Sequence, residues 1–490
     1  MRSHRRRPGG RSMGQNSLGG RLMFPLLFVL ALAGSAESQA PVLRTPDARQ
    51  YRFAWELYRD GEYGLAAEAL RDFLRKYPQS PWVPKAAFLL GECPFREGKY
   101  KEALRAFREF LRKYPEDALA DDAAYRTGQA LFRMERYREA VEVFRKFERE
   151  YPKSPLLPDV RYLLGEALYR LGKYEEALRA YGRASSDTGE AGTYALYAMG
   201  WIYKKQGRYD MAARAFREVV KRVPDSDLGR SCRLKWGEAL LQGGKPEEAL
   251  EVLKEAIAVL RGEERAYARY LSGEAYFRLG QYSRARSAYR KVLEESPKLA
   301  PKAQMGIAWS YFGEKDYRKA IEAFRKVAER FPTSPESQEA LFRIGVCWRR
   351  LGELKRALEA FREVWKEFPE GEFAEDGLYG AAEVAYALGK YAEALGYSAC
   401  FGNGTPRGSG RRQLRSFEVR AIWPWKGGTM RRRPTGRSWR GFRGIPRRRR
   451  PGSSSDGVYI GRESTERRLR PCGISWSATQ TIPPGRMPSF

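Results

Sequence analysis

In residues 123–155, AAYRTGQALFRMERYREAVEVFRKFEREYPKSP, apolar side chains return every three or four positions on both sides of the triplet MER, and Pro152 closes the second run. That spacing places each apolar set on one face of an α-helix, and a proline at that point cannot continue one. The stretch predicts two antiparallel helices joined by a short turn. The same pattern recurs along the chain. Aligned on one position it falls at Tyr63, Tyr100, Tyr137, Tyr174, Tyr209, Pro246, Tyr282, Tyr317, Leu354 and Tyr391, at separations of 35 to 37 residues. A fixed period of this size marks a solenoid. One helix pair has no means of burying its own apolar face, so neighbouring pairs must stack.

Each unit repeats one internal order. Nine residues before the aligned position stands a small residue, Gly91, Gly128, Gly165, Gly200, Gly237, Gly273 or Gly345, with Ala54, Ala308 and Ala382 in the other three units. Three residues after it stands alanine in all ten, among them Ala103, Ala140 and Ala177. Seven after it stands a large apolar residue such as Phe107 or Phe144, and fifteen after it, in seven units, stands proline, as at Pro115 and Pro152. The small residues mark where two helices cross closely; a larger side chain there would overpack the crossing at a cost of about 1–3 kcal/mol. Three departures stand out. Pro94 falls inside a first helix and predicts a kink, while residues 183–192 and 258–266 lack the terminal proline and predict altered junctions.

Small residue, alanine twelve later, aromatic four later and proline eight later resembles the tetratricopeptide repeat, over about ten copies within 41–397. The segments FLRKYPQSP, FEREYPKSP and AERFPTSP are similar to those of bacterial envelope members, notably the Tol-Pal-associated YbgF type and BamD. The resemblance implies an all-α, right-handed superhelix, an α-solenoid of helix-turn-helix repeats, whose first helices line a groove for protein or peptide partners. On those helices, three residues before the small position, run Phe88, Tyr125, Tyr162, Tyr197, Leu234, Tyr270, Met305, Phe342 and Tyr379. Such an aromatic column suits peptide capture and equally suits helix packing. One residue after the small position stand Glu92, Glu166, Glu238 and Glu274, three of them followed at i+4 by Arg96, Arg170 and Arg278, the pattern of a solvated face. Trp201 and Trp309 replace the glutamate in two units. A tryptophan in place of a charge has no reason in solubility, so these two are the first candidates for groove anchors. The clamp by which chaperone-binding relatives hold a terminal carboxylate needs asparagine, and residues 41–397 contain none.

Net charge is +31, but 41–397 carry only 64 bases against 55 acids; the excess sits at the ends. Residues 1–40 join a basic lead to the apolar run LMFPLLFVLALAG (22–34) and then small residues, the order of a cleaved secretory signal. Ser35 stands where a lipoprotein would carry its acylated cysteine, which predicts a soluble, exported, periplasmic protein rather than a lipoprotein. Cys93, Cys232 and Cys347 are scattered singly and read as small buried residues; the one histidine, His4, lies in the lead. No catalytic histidine site, zinc site or phosphate-binding loop can be assembled, so neither enzyme activity nor a metal or cofactor is expected. Residues 398–490 carry 20 Arg, one Lys and four acids with few large apolar residues, the composition of a disordered tail. Its Gly, Arg, Pro, Ser and Trp are also what GC-rich coding sequence yields when read out of frame, and Ser398 replaces the large apolar residue of the tenth unit, so a frameshift near 397 is expected. The resulting reading is a non-enzymatic interaction scaffold of the cell envelope. Its alternatives are nucleic-acid binding through the Arg-rich tail and the repeat portion of an envelope enzyme.

Overall fold

The computed structural model describes residues 45–404, and every regular element among them is an α-helix. Each repeat contributes an A helix and a B helix. In the first four repeats these are α1 (Pro46–Arg59) and α2 (Tyr63–Lys76), α3 (Val83–Arg96) and α4 (Tyr100–Lys113), α5 (Ala120–Arg133) and α6 (Tyr137–Glu150), and α7 (Leu157–Arg170) and α8 (Tyr174–Ala184). Repeats 5 to 7 comprise α9 (Glu190–Lys205) and α10 (Tyr209–Arg222), α11 (Asp227–Gln242) and α12 (Pro246–Val259), and α13 (Gly262–Arg278) and α14 (Tyr282–Glu295). Repeats 8 to 10 comprise α15 (Ala300–Gly313) and α16 (Tyr317–Arg330), α17 (Pro335–Arg350) and α18 (Leu354–Glu367), and α19 (Ala374–Ala387) and α20 (Tyr391–Gly404). The chain divides into two compact units inside α9, one holding 45–195 and the other 196–404.

The aligned position of the sequence is the first residue of every B helix. Two residues earlier the backbone turns through the left-handed region in all ten repeats, on glycine in eight (φ from +70° at Gly280 to +89° at Gly61) and on Glu135 and Lys315 in two. This geometry closes the A helix. In repeat 2 the Gly98 N–H donates to the Phe95 carbonyl at 3.1 Å and the Lys99 N–H to the Pro94 carbonyl at 2.8 Å, satisfying carbonyls the helix leaves open. The aligned tyrosine then packs edge-on against an aromatic ring five residues back, as in Phe95–Tyr100 at 5.4 Å and Phe132–Tyr137 at 5.3 Å, which fixes the angle at which the B helix departs.

The alanine three residues into each B helix is fully buried in every repeat from Ala66 to Ala394. So is the large residue four positions on, Leu70, Phe107, Phe144 and Tyr181 in the first unit and Phe216, Leu253, Tyr289, Phe324 and Phe361 in the second. The small residue of the A helix faces this side chain. A Cβ built on Gly91 would stand 2.7 Å from the ring of Phe107, and one on Gly200, 2.6 Å from that of Phe216. The crossing is therefore set by a ring lying against bare backbone, sixteen residues along the chain, as much as by the alanine opposite.

α3 continues through Pro94 to Arg96, so the ring sits in the last turn, where it removes one hydrogen bond of the helix. Pro115 and Pro152 are exposed and follow the C-caps Tyr114 and Tyr151, where no further helical N–H is required. Where terminal proline is missing, α8 ends after eleven residues at Ala184, and α13 starts at Gly262 and runs for seventeen. Cys93, Cys232 and Cys347 are unpaired and buried, and burial pushes each thiol up to about 12, so they behave as apolar filling. α20 reaches Gly404, seven residues past the array limit placed at 397. The signal stretch 1–40, His4 within it, and the Arg-rich run 431–450 lie outside the described residues.

Candidate functional site

The aromatic column of the A helices lies against the buried B-helix residue of its own repeat. Ring centroids are 5.6 Å apart for Phe88–Phe107, 5.9 Å for Tyr162–Tyr181, 6.2 Å for Tyr197–Phe216, 5.8 Å for Tyr270–Tyr289 and 5.6 Å for Phe342–Phe361. Tyr125 is half-buried with the Arg126 guanidinium 5.9 Å from its ring, and Tyr379 packs beside Leu378. The five paired rings fill the seam between helices A and B, and burial raises the phenols of Tyr125, Tyr162, Tyr197 and Tyr270.

The glutamate register is not the solvated face that its i,i+4 arginines imply. Glu92 is 1% exposed, Glu166 6% and Glu238 5%. Each is held by groups from another helix. Glu92 pairs with Arg126 of the next repeat, Nε to Oε1 at 2.6 Å, and accepts from Tyr58 Oη at 3.3 Å. Glu166 accepts from Tyr181 Oη at 2.5 Å, and Glu274 from Tyr289 Oη at 2.6 Å. Burial raises the carboxyls of Glu166 and Glu274, and the phenol hydrogen bonds oppose it. The two repeats whose buried B-helix residue is tyrosine thus both carry a glutamate to receive its hydroxyl; a buried hydroxyl without a partner costs about 1–3 kcal/mol.

Arg126 also explains the two tryptophans. It lies two residues before the small position of repeat 3, and the same register holds Lys235 in repeat 6 and Arg343 in repeat 9. Each of the three faces the A helix of the repeat before it. Arg126 meets the carboxylate of Glu92; the Lys235 ammonium stands 5.2 Å from the Trp201 ring, and the Arg343 guanidinium 4.6 Å from the Trp309 ring. Across the repeat boundary tryptophan stands where glutamate does for Arg126, an indole face in place of a carboxylate, while Arg343 keeps an ion pair with Glu339 of its own helix at 3.1 Å. Both indoles also stand edge-on to the buried ring beneath, Trp201 on Phe216 at 6.2 Å and Trp309 on Phe324 at 5.7 Å. Both remain half-exposed. Trp55 occupies the same register in repeat 1, with Arg59 5.4 Å from its ring; its signal in the sequence is its place one residue after the small Ala54.

Charge concentrates around Trp201. The Lys204 ammonium lies 5.1 Å from the same indole and 2.8 Å from Glu238 Oε1. Tyr267 Oη donates to that oxygen at 3.2 Å, while Glu238 Oε2 is buried and accepts no hydrogen bond from a described residue. Burial holds the Lys235 ammonium below its usual value, Lys204 adds to the effect, and Glu238 opposes it. A half-exposed indole flanked by two ammonium groups forms a patch that can receive an apolar side chain and an anion. Among the described residues no group of three or more His, Cys, Asp and Glu could hold a metal ion, and no helix is long and apolar enough to cross a membrane.

The family model described as tetratricopeptide repeat matches residues 51–118, 234–300 and 305–372, a second model of that description matches 194–226, and the model of anaphase-promoting complex, cyclosome, subunit 3 matches 110–184. No curated protein matches the sequence. Among solved structures, the C-terminal part of a TPR repeat-containing protein from Cytophaga hutchinsonii is 22% identical over 52% of this chain and 99% of that one, with a TM-score of 0.41. A tetratricopeptide repeat protein from Parabacteroides merdae is 16% identical over 54% of this chain and 98% of that one, at a TM-score of 0.34. PilW, a type IV pilus biogenesis factor, is 20% identical over 46% of this chain and 100% of that one, at 0.36. With helix pairs at every predicted repeat and repeat models matching both compact units, this chain is a tetratricopeptide-repeat protein.

Proposed function

We propose that this tetratricopeptide-repeat protein is a non-enzymatic scaffold of the bacterial cell envelope, exported by residues 1–40 to the periplasm, soluble and without a lipid anchor. Its A helices hold partner proteins or peptides, with Trp201 and Trp309 as anchors. The observation that carries the reading is the Trp201 patch. Its indole is seated on Phe216 and flanked by Lys204 and Lys235, so the ring is pre-positioned and loses little rotamer freedom when a partner covers it. A partner segment offering a carboxylate beside an apolar side chain satisfies both the ammonium groups and the ring. The similarity of the YPQSP and YPKSP junctions to the YbgF and BamD types supports assembly or maintenance of the envelope as the setting.

The test is capture from envelope extracts by the full chain, wild type against Trp201→Ala and Trp309→Ala. Loss of the same partners from both variants, with helix content unchanged by circular dichroism, supports the anchors; undiminished capture by the double variant refutes them. Export is checked separately by fractionation and N-terminal mass spectrometry. A mature N-terminus after Ala36 or Ala40 in the periplasmic fraction is expected, and an uncleaved chain in the cytoplasm overturns it.

A further inference from the structure

A second register of the A helices carries charge as well. Four residues before the small position, three A helices bear an arginine that reaches a B-helix carboxylate: Arg161 to Glu148 at 3.1 Å, Arg233 to Glu255 at 3.9 Å, and Arg269 to Glu295. In repeat 9 this register is Leu341. The B-helix carboxylates persist there. Glu363 stands at the register of Glu255, nine residues into its helix, and Glu367 at that of Glu295, thirteen residues in. With Glu329 and Glu359 they line an open groove of about 590 Å³ between α16, α17 and α18, which Leu341, Ile344 and Trp348 also line. None of the four carboxylates has an ion-pair partner among the described residues. The groove's own cations are Arg325 and Arg356, and Arg356 lies over the Trp348 ring at 4.8 Å.

Leucine alone does not open the site. Leu196 in repeat 5 and Leu378 in repeat 10 hold the same register and are 9% and 6% exposed, and Leu378 is covered by Tyr397, six residues into its B helix. In repeat 9 the residue at that B-helix position is Ala360, and Leu341 is left half-buried at the groove's edge.

We propose that this groove docks an extended partner segment bearing two cationic side chains, at least one an arginine, next to a large aliphatic residue. The incoming guanidinium takes the place that Arg233 and Arg269 fill in their own repeats, between Glu363 and Glu367, and the aliphatic side chain covers Leu341 and Ile344. Two cations neutralise the excess of four carboxylates over two arginines, so the match is one of charge as well as shape.

The probe is a blocked, fluorescein-labelled peptide, Gly-Leu-Arg-Gly-Arg-Leu-Gly, titrated by anisotropy against the full chain. Binding is expected to weaken with added salt and on replacing both arginines by citrulline. Leu341→Arg restores the residue of the sister repeats and fills the site from within; it should weaken binding at least about ten-fold through occupancy and like-charge repulsion. Glu363→Gln with Glu367→Gln should act in the same direction and decides the matter if Leu341→Arg loses its helical circular dichroism. Absence of binding by the wild type, or equal binding by the variants or by the citrulline peptide, overturns the proposal.

Discussion

Gly91→Ala sets two known effects against each other. Helix propensity alone makes the substitution stabilising by about 1 kcal/mol, because alanine loses less backbone entropy than glycine. The structure reverses the sign. The new Cβ would stand 2.7 Å from Phe107 Cε1 and 2.8 Å from Cδ1, below any ordinary carbon contact. The ring has nowhere to go: it is fully buried, 5.6 Å from Phe88 and 6.5 Å from Phe95, in a cluster closed by Ala103, Phe110 and Ala123. Overpacking of a closed site costs about 1–3 kcal/mol, so the net loss is about 1 kcal/mol. Repeat 8 supplies the converse. Ala308 already lies opposite Phe324 with both fully buried, so Ala308→Gly should also destabilise, by about 1 kcal/mol of propensity. A cycle with Phe107→Ala separates the contributions. That substitution alone costs about 3–5 kcal/mol, and combined with Gly91→Ala the loss should fall short of the sum by about 1–3 kcal/mol, since the clash disappears with the ring. Because repeat arrays open unit by unit, the assay is native-state hydrogen exchange of α3 and α4 amides. A stabilising Gly91→Ala, or an additive cycle, refutes the account of the crossing.

Two further predictions concern buried charge. Arg126→Met removes the nearer cation of buried Glu92 and leaves only Arg96, at 3.8 Å, so it should cost about 3 kcal/mol, measured by hydrogen exchange of α3 and α5, whereas Arg126→Met with Glu92→Leu should recover most of that loss; equal losses in the single and double variants would count against the pairing. Asp122 in the first turn of α5 is pushed up to about 7, chiefly by burial and then by Asp121 and Glu92, with Arg126 opposing. Its folded value lies above the unfolded one, so its contribution to stability is full below about pH 4 and is lost as pH rises through 7. Asp122→Asn should therefore raise the thermal midpoint at pH 8 relative to wild type by more than at pH 4, and a pH-independent difference would contradict the burial of this carboxyl.

The repeat boundaries, the small residue, the buried alanine and the large side chain were legible because each is fixed inside a single helix pair: Gly91 and Phe107 meet within one unit, and ten copies average out the exceptions. The turn was half legible. Eight glycines mark it, yet Glu135 and Lys315 hold the same left-handed backbone without that signal. What a single unit could not reveal was the fate of its charged register. Glu92 looks solvated beside Arg96 because the group that buries it, Arg126, belongs to the following repeat. A signal was nevertheless present between units. Arg126 follows Glu92 by 34 residues, Lys235 follows Trp201 by 34, and Arg343 follows Trp309 by 34. Read at that separation, a cation recurs in every third repeat and the residue before it is always one that can receive positive charge, carboxylate once and indole twice. The tryptophans then have a structural reason as well as a candidate role. They hold the next repeat's cation, and for that reason their remaining exposed edges are fixed in place, as a partner-binding anchor requires.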